Sequence, residues 1–409
     1  VAEKSKTFCI LPWVHLHSWA GGEVYTCCLS NIEPEHRIGN LQDTSLQDLY
    51  NSDKMKEIRV KMLAGEQVES CTRCYDQERY GFRSMRMNSN KDFMQHDDLV
   101  DSTLPDGTSP EMRITYWDIR FSNNCNMKCR SCGSDFSTLW YEDNAKMWGK
   151  PWTDITPRVK RVRADFDTLM SEAKDQIKNF EKIYFAGGEP LIMPEHWQFV
   201  EEVIEQKNFD VHIHYQTNLS QLTYKDKNAI DLWKQLKNVV INASLDASGT
   251  LGEYMRKGPS WQTVLSNLEL LRDECPEIER HSTCTVSLMN VLHITEFHKY
   301  LYENNLISCE NFGLNPLFTP PYYRVETLPE ELKQVAKEKI HAHILELESM
   351  GNKKYAKVIS EFEGIIKMLN NPSTYSLYWP DYCRITRQLD DIRKENVLSV
   401  LPEFEPYLL

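Results

Sequence analysis

Cys125, Cys129 and Cys132 stand in the spacing C-x3-C-x2-C within residues 121–132. Three thiolates can hold three irons of a cubane [4Fe-4S] cluster, whereas a cluster that only carries electrons normally takes four cysteines, so this spacing leaves one iron open. Asn126 and the unencumbered Gly133 let the loop turn its backbone N–H groups toward a cluster's sulfurs. Zinc, or ordinary buried thiols, are the competing readings of the motif taken alone. A second set precedes it: Cys9, the pair Cys27-Cys28, and Cys71-x2-Cys74. Together these make a four-cysteine cage, and zinc is a stronger competitor here. On one strand Cys27 and Cys28 point to opposite faces, so only one of them can join the cage. His15 and His17 share a face of a strand; packed structural histidines are the default, with ligands or proton carriers the alternative.

These residues need elements to position them. The run 114–121 reads as a strand feeding the three-cysteine loop, which places the loop at a strand's C-terminal end. Further strands are expected at 182–187, 211–217, 239–245, 281–290 and 308–315. Helices fit between them, at 158–180, 194–206, 224–236, 261–273 and 294–305. This alternation is an α/β fold with parallel strands. Before it, residues 11–19 and 23–29 read as a hairpin turning at Ala20-Gly21-Gly22, and 45–63 as amphipathic helix. Residues 76–111 read as a polar connector with turns at Asn88-Ser89-Asn90 and Pro105-Asp106-Gly107. Arg79, Arg83 and Arg86 follow helical spacing there, a solvated face by default. Beyond Pro316 a stiff Thr319-Pro320-Pro321 link leads to long charged helices at 329–350 and 353–369, and to a third containing Ile385, Leu389 and Ile392. These helices carry no chemical motif, and packing on the rest of the chain is their expected role.

Composition bounds the partners. The chain has 409 residues, 12 cysteines and a formal net charge of -13, which argues against a broad phosphate-binding surface and hence against nucleic acid. No 18-residue apolar run or secretory h-region is visible, so no membrane and a cytoplasmic location are expected. In a reducing compartment, a cysteine-rich chain points to metal sites more than to disulfides.

The central motif resembles the first signature of the radical S-adenosylmethionine (radical SAM) superfamily. Its other marks follow in order: Gly187-Gly188-Glu189-Pro190, Gln216-Thr217-Asn218, Ser244-Leu245-Asp246, Arg256 and Asn290. The resemblance implies an open, TIM-like partial (β/α)6 barrel over residues 112–318, with a connector at 76–111 and a C-terminal helical extension at 319–409. It implies a SAM-binding [4Fe-4S] cluster on Cys125, Cys129 and Cys132, with SAM's amino group at residues 187–190. Asn218, Ser244, Asp246, Arg256 and Asn290 would contact its carboxylate and ribose. Residues 1–75 resemble the twitch domain, the short relative of the SPASM domain, which implies an auxiliary [4Fe-4S] cluster on Cys9, Cys27, Cys71 and Cys74. Cys27 is preferred to Cys28 because it matches that motif. Several features depart from the pattern. The twitch-like unit comes before the barrel, Leu219 follows Asn218 where relatives often have glycine, and Lys257 separates Arg256 from Gly258. Ser131 replaces an apolar residue that packs on adenine, leaving Phe136 as a candidate for that contact.

What the resemblance implies is reductive cleavage of SAM to a 5'-deoxyadenosyl radical that takes hydrogen from a substrate C–H bond. An external reductant of the flavodoxin or ferredoxin type is implied as well. A peptide or protein that is oxidised, cross-linked or otherwise modified is the first substrate expected. Dehydrogenation or epimerisation of a small polar metabolite, such as an amino sugar or nucleotide sugar, is the alternative. A metal-binding interaction protein that never cleaves SAM is a third. Cys275, Cys284, Cys309 and Cys383 are read as packed thiols, with a hydrogen-atom donor as the minority role.

Overall fold

The computed structural model describes residues 5–79, 83–150 and 159–408. It falls into two compact units, one made of residues 1–123, 159–215 and 231–239, the other of residues 124–158, 216–230 and 240–409.

In the first unit six strands follow one another: β1 (His15–Ser18), β2 (Glu23–Tyr25), β3 (Gly39–Asn40), β4 (Tyr116–Ile119), β5 (Lys182–Phe185) and β6 (His212–Thr217). Their spatial order is β3-β2-β1-β4-β5-β6. The first three form an antiparallel meander, and β1 then joins β4 in parallel, His15 opposite Tyr116 and His17 opposite Asp118. β4, β5 and β6 continue in parallel. One face of this ladder is apolar. Trp117 and Phe185 pack edge-on against Phe199 of the helix Pro194–Glu205. The opposite face is polar: His15, Tyr116 and Lys182 are aligned in one row, and His17, Asp118 and Tyr184 in the next.

In the second unit β7 (Asn238–Ala243), β8 (Glu279–Val286) and β9 (Phe312–Pro316) are parallel. The helices Trp261–Glu274 and Ile294–Glu303 lie between them in the chain. All six strands expected of the α/β part are therefore present and parallel to their partners. The C-terminal helices run Glu330–Ser349, Ala356–Leu369 and Tyr375–Arg393. The middle one packs on β9, where Glu361 accepts the Leu314 N–H at 2.7 Å. Among the described residues no helix is long and apolar enough to cross a membrane.

The details differ from expectation where a side chain recruits the backbone. Residues 11–14 form a helical turn, with Pro12 in its first turn, and only then does β1 begin. β2 ends at Tyr25, so Cys27 and Cys28 sit in a turn and strand alternation does not decide between them. The single helix expected over 45–63 is two, capped by Ser45 and Ser52. Asn88-Ser89-Asn90, read as a turn, lies inside the helix Met85–Phe93, which Ser84 caps. Asn90 faces inward, accepting the Ile10 N–H at 2.8 Å and donating to the Phe8 carbonyl at 3.0 Å. The helix expected from Arg158 is seen as Phe166–Lys174, Arg158 itself lying outside the described residues.

Arg59 ties the N-terminal region together from inside. It is fully buried, lies 4.5 Å over the Tyr50 ring, and donates to the carbonyls of Pro12 and Tyr50 and to Asn51 at 2.8–3.0 Å. Arg59→Leu orphans these acceptors and is expected to destabilise the protein by about 3 kcal/mol, read as a lowered urea midpoint. Arg59→Lys restores charge without the planar fork and should recover only part of it.

Burial also holds His196 and His298 at about 3, against an ordinary 6.5. His298 spends its Nδ1 on His343 at 2.8 Å and its Nε2 on the Cys309 carbonyl at 3.0 Å. Below pH 6.5 the unfolded chain therefore binds protons that the folded state refuses. The stability these two residues contribute is complete above that pH and is lost progressively as pH falls toward 3. Together they predict a loss of roughly 3 kcal/mol between pH 7.5 and 5.5, measurable by urea unfolding at the two pH values and reduced by His196→Phe.

Candidate active site

The three-cysteine loop leaves β4 and folds back on itself. The Met127 N–H donates to Cys125 Sγ at 3.4 Å, and the Cys132 N–H to the Cys129 carbonyl at 3.0 Å. Between them the residues Lys128–Cys129 form a two-residue antiparallel ladder with Arg256–Lys257. The Arg130 N–H extends it to the Met255 carbonyl at 2.8 Å. This clasp places Arg256 Nη1 3.7 Å from Cys129 Sγ. The Cys132 thiol donates to Cys129, so Cys129 is the thiol of the pair that ionises first, and Arg256 favours its anion.

Asn218 approaches the loop from the end of β6. Its Nδ2 donates to Asn126 Oδ1 at 2.8 Å and lies 4.0 Å from Cys125 Sγ, while its Oδ1 accepts the Ser220 N–H at 2.9 Å. Leu219, at the glycine-like position, has φ 54°, the left-handed region that glycine enters without cost, and its side chain is fully buried. A small open cleft is lined by Met127, Asn218, Ser244, Asp246, Arg256 and Trp261, among others. Four of the expected cofactor contacts thus meet at one opening. Asp246 and Arg256 face each other across 2.7 Å, and Asp246 also accepts the Thr285 N–H at 2.7 Å.

Asn290 is placed differently. It is fully buried, and its Nδ2 donates to the carbonyls of Asp246 and Thr285 at 2.9 and 3.1 Å and to Cys284 Sγ at 3.3 Å. It fastens the turn that carries Asp246. Residues 187–190 belong to the first unit. Gly187 and Gly188 take φ 74° and 50°, and a Cβ on Gly187 would come within 2.7 Å of the Arg120 side chain, so glycine is required there. The buried Glu189 accepts the Leu191 N–H at 3.1 Å and caps the turn beginning at Pro190. Phe136 is 44% exposed and does not line the cleft; Trp261 does. Sequence reading missed Trp261 and Glu253, whose carboxylate accepts the Trp261 N–H at 2.8 Å. The signal available was Ser260, a helix cap that fixes the first residue of Trp261–Glu274.

The second cysteine set is also gathered. Cys9, Cys27 and Cys71 pack in one buried cluster with Phe8 and Tyr116. Burial, then Cys71 and Cys74, push the Cys9 thiol up; burial pushes Cys71 to about 11, and Cys74 adds to it. Cys27 is raised by burial and by its neighbours Cys28, Cys71 and Cys9. Cys28 is raised to about 11 by burial, then by Asp118. Cys9, Cys27 and Cys71, each raised in this way, with Cys74 in the same region, suit a cationic group that would take them as thiolates, and soft thiolates are ligands of iron–sulfur clusters and of zinc. Among the described residues no group of three His, Cys, Asp or Glu side chains is arranged to hold a metal ion. Arg86 stands beside this set, ion-paired with Glu78 and donating to the Phe8 carbonyl at 2.7 Å, so it is not a solvated side chain. Arg79 is exposed and pairs with Asp76.

His17 Nδ1 lies 3.0 Å from Asp118, which also takes Arg120 at 2.7 Å. Burial opposes its ionisation, but His17 and Arg120 hold Asp118 at about 2. Burial lowers the pKa of both His15 and His17. Cys275, Cys284, Cys309 and Cys383 are all buried, and Cys284 donates to the Asp246 carbonyl at 3.5 Å.

Comparison with known proteins matches residues 119–299 to the Radical SAM superfamily and residues 9–75 to SPASM, an iron–sulfur cluster-binding domain. No curated protein matches the chain. Among solved structures, native anSMEcpe with bound AdoMet is 19% identical, aligned over 58% of this chain and 62% of that one with a TM-score of 0.43. Streptococcus suis SuiB bound to precursor peptide SuiA is 13% identical, over 72% and 64%, with a TM-score of 0.38. The chain thus spans under two thirds of the length of these structures. Residues 119–299, which hold the three-cysteine loop and most of the parallel strands, thus carry a radical SAM domain, and residues 9–75, which hold the N-terminal cysteine set, carry a SPASM-type iron–sulfur domain.

Proposed function

We propose that this chain is a radical SAM enzyme that modifies a peptide or protein by abstracting hydrogen from one of its C–H bonds. The observation that carries the reading is the convergence of the loop bearing Cys125, Cys129 and Cys132, through Met127, with Asn218, Ser244, Asp246 and Arg256 on one cleft. A [4Fe-4S] cluster and SAM held there would supply the chemistry, reductive cleavage of the sulfonium to a 5'-deoxyadenosyl radical. The protein's own task is to bind, orient and exclude water. Cys125, Cys129 and Cys132 would hold the cluster. Arg256 is suited to the SAM carboxylate by its planar fork, and Asp246 keeps that fork oriented at 2.7 Å. Asn290 acts one step back, by fixing the Asp246 turn. Gly187, Gly188, Glu189 and Pro190 are the residues that the resemblance assigns to SAM's amino group, and their glycines permit close backbone approach to a ligand.

Cys9, Cys27, Cys71 and Cys74 would hold a second [4Fe-4S] cluster, able to take up the electron left on a substrate radical. Such an acceptor favours net oxidation or cross-linking. A peptide or protein is the substrate class that the resemblance of the N-terminal region to the twitch and SPASM domains implies. A flavodoxin- or ferredoxin-type protein would supply the first electron.

Anaerobic protein given dithionite and SAM should form 5'-deoxyadenosine, and the variant with Cys125, Cys129 and Cys132 all changed to alanine should form none. Product absent from both would leave a metal-binding protein without SAM chemistry. Iron should fall from about eight to about four per chain in that variant; about four falling to none, with zinc present, would make the N-terminal cage structural and favour redox-neutral chemistry. Arg256→Gln, which removes a charged hydrogen-bond donor, should weaken SAM binding by roughly tenfold or more, read by equilibrium dialysis. Affinity unchanged in that variant would remove Arg256 from the SAM site.

A further inference from the structure

Two cations flank Cys129 in the three-cysteine loop, and their partners lie far along the chain. Arg130 is buried, its guanidinium 3.8 Å above the Tyr254 ring. It donates to the Tyr254 carbonyl at 3.2 Å, to Glu395 at 2.8 Å and to Asp390. Asp390 also accepts the Tyr254 hydroxyl at 2.9 Å and the Val397 N–H at 2.8 Å. Lys257, in the clasp, reaches Glu395 at 3.0 Å. On the other side of Cys129, Lys128 meets Asp143 at 2.7 Å, whose second oxygen accepts Arg393 Nε at 2.8 Å. Arg393 lies over the Trp140 ring at 4.7 Å, and the Trp140 indole donates to the Cys129 carbonyl at 3.0 Å.

Asp390 and Arg393 occupy the last turn of the helix Tyr375–Arg393. Lys394 then turns through φ 56°, which brings Glu395 back beside them. The ion pairs of Lys128 and Arg130 therefore run to the helix Trp140–Met147 and to this C-terminal turn. Four cations (Lys128, Arg130, Lys257, Arg393) face three carboxylates (Asp143, Asp390, Glu395), which leaves one positive charge in excess around the loop.

We infer that the C-terminal turn is part of the cluster machinery: Asp390 and Glu395 are positioning residues that fix the loop's shape and set the charge felt by whatever Cys125, Cys129 and Cys132 hold. The inference rests on reading those cysteines as cluster ligands. Reduction adds negative charge to a cluster, so nearby positive charge favours the reduced form and nearby carboxylates oppose it. Removing a carboxylate must then raise the reduction potential and removing a cation must lower it. A scaffold role alone would give no such reversal of sign, since loosening the loop does not know which charge was deleted.

The test uses the full chain with iron assembled anaerobically. Iron is counted in the wild type and in the triple-alanine variant, and the EPR signal that changes on adding SAM is followed in potentiometric titrations of Asp390→Asn, Glu395→Gln, Lys128→Gln and Lys257→Gln. Potentials displaced upward in the first two and downward in the last two, beyond replicate scatter, are the expected result. If Asp390→Asn fails to retain iron, the milder pair Glu395→Gln and Lys257→Gln decides by the same opposition of sign. Equal potentials, or shifts of one sign, with iron retained would overturn the inference while leaving the proposed function standing. Iron that does not fall in the triple-alanine variant would overturn both.

Discussion

A ladder of two residues on each side, Lys128–Cys129 against Arg256–Lys257, is the constraint on which the candidate site depends. It brings together segments more than a hundred residues apart, and it works only because the next residue has no side chain. A Cβ on Gly258 would fall 2.7 Å from both the Asn126 carbonyl and Met127 Cγ. So short a pairing is weak by itself. Its persistence comes from the ion pairs at its edges, Arg256 with Asp246 and Lys257 with Glu395. The same contacts that hold the loop closed thus determine where Arg256 stands relative to Cys129. Shape and electrostatics cannot be tuned separately here.

Much of this was legible from local pattern. Cysteine spacing, glycine doublets at strand ends and the alternation of apolar runs with helical stretches are short-range signals, and they located the strands and four of the residues that line the cleft, Asn218, Ser244, Asp246 and Arg256. What sequence alone did not disclose depends on long-range pairing. Nothing near residue 130 announces that Arg130 will meet Asp390 and Glu395, and a charged C-terminal helix reads as ordinary packing. Arg86 looked solvated because helical spacing does not reveal Glu78 and the Phe8 carbonyl. Asn290, at a strand end, looked like a ligand contact; its amide instead holds the turn carrying Asp246. Strand alternation would separate Cys27 from Cys28 only if the strand ran through them, and it stops at Tyr25. Asp118 beside Cys28 is a partner that becomes visible only when β1 and β4 are aligned.

The polar face of the first unit follows a related logic. Histidines, tyrosines, a lysine and an aspartate occupy adjacent rows on β1, β4 and β5, where a purely structural sheet would present aliphatic side chains. Such rows are expensive to bury unless each charge has a partner. Asp118 pairs with Arg120 and takes His17 at 3.0 Å, and burial lowers the pKa of both imidazoles. The apolar work of holding the sheet to its helices is left to Trp117, Phe185 and Phe199 on the other side.

The parallel pairing of β1 with β4 also bears on inheritance. A domain tethered by a linker can be traded between genes as a unit, because both parts keep their own hydrogen bonds. Here the N-terminal cysteine region contributes a strand to the same ladder as the first α/β strand, His15 to Tyr116 through Ser18 to Ile119. Excising it would bare the backbone groups of β4 and invite edge-to-edge association. The two regions are therefore bound to diverge together, and a recombination event between residues 75 and 112 would have to preserve a strand register as well as a reading frame.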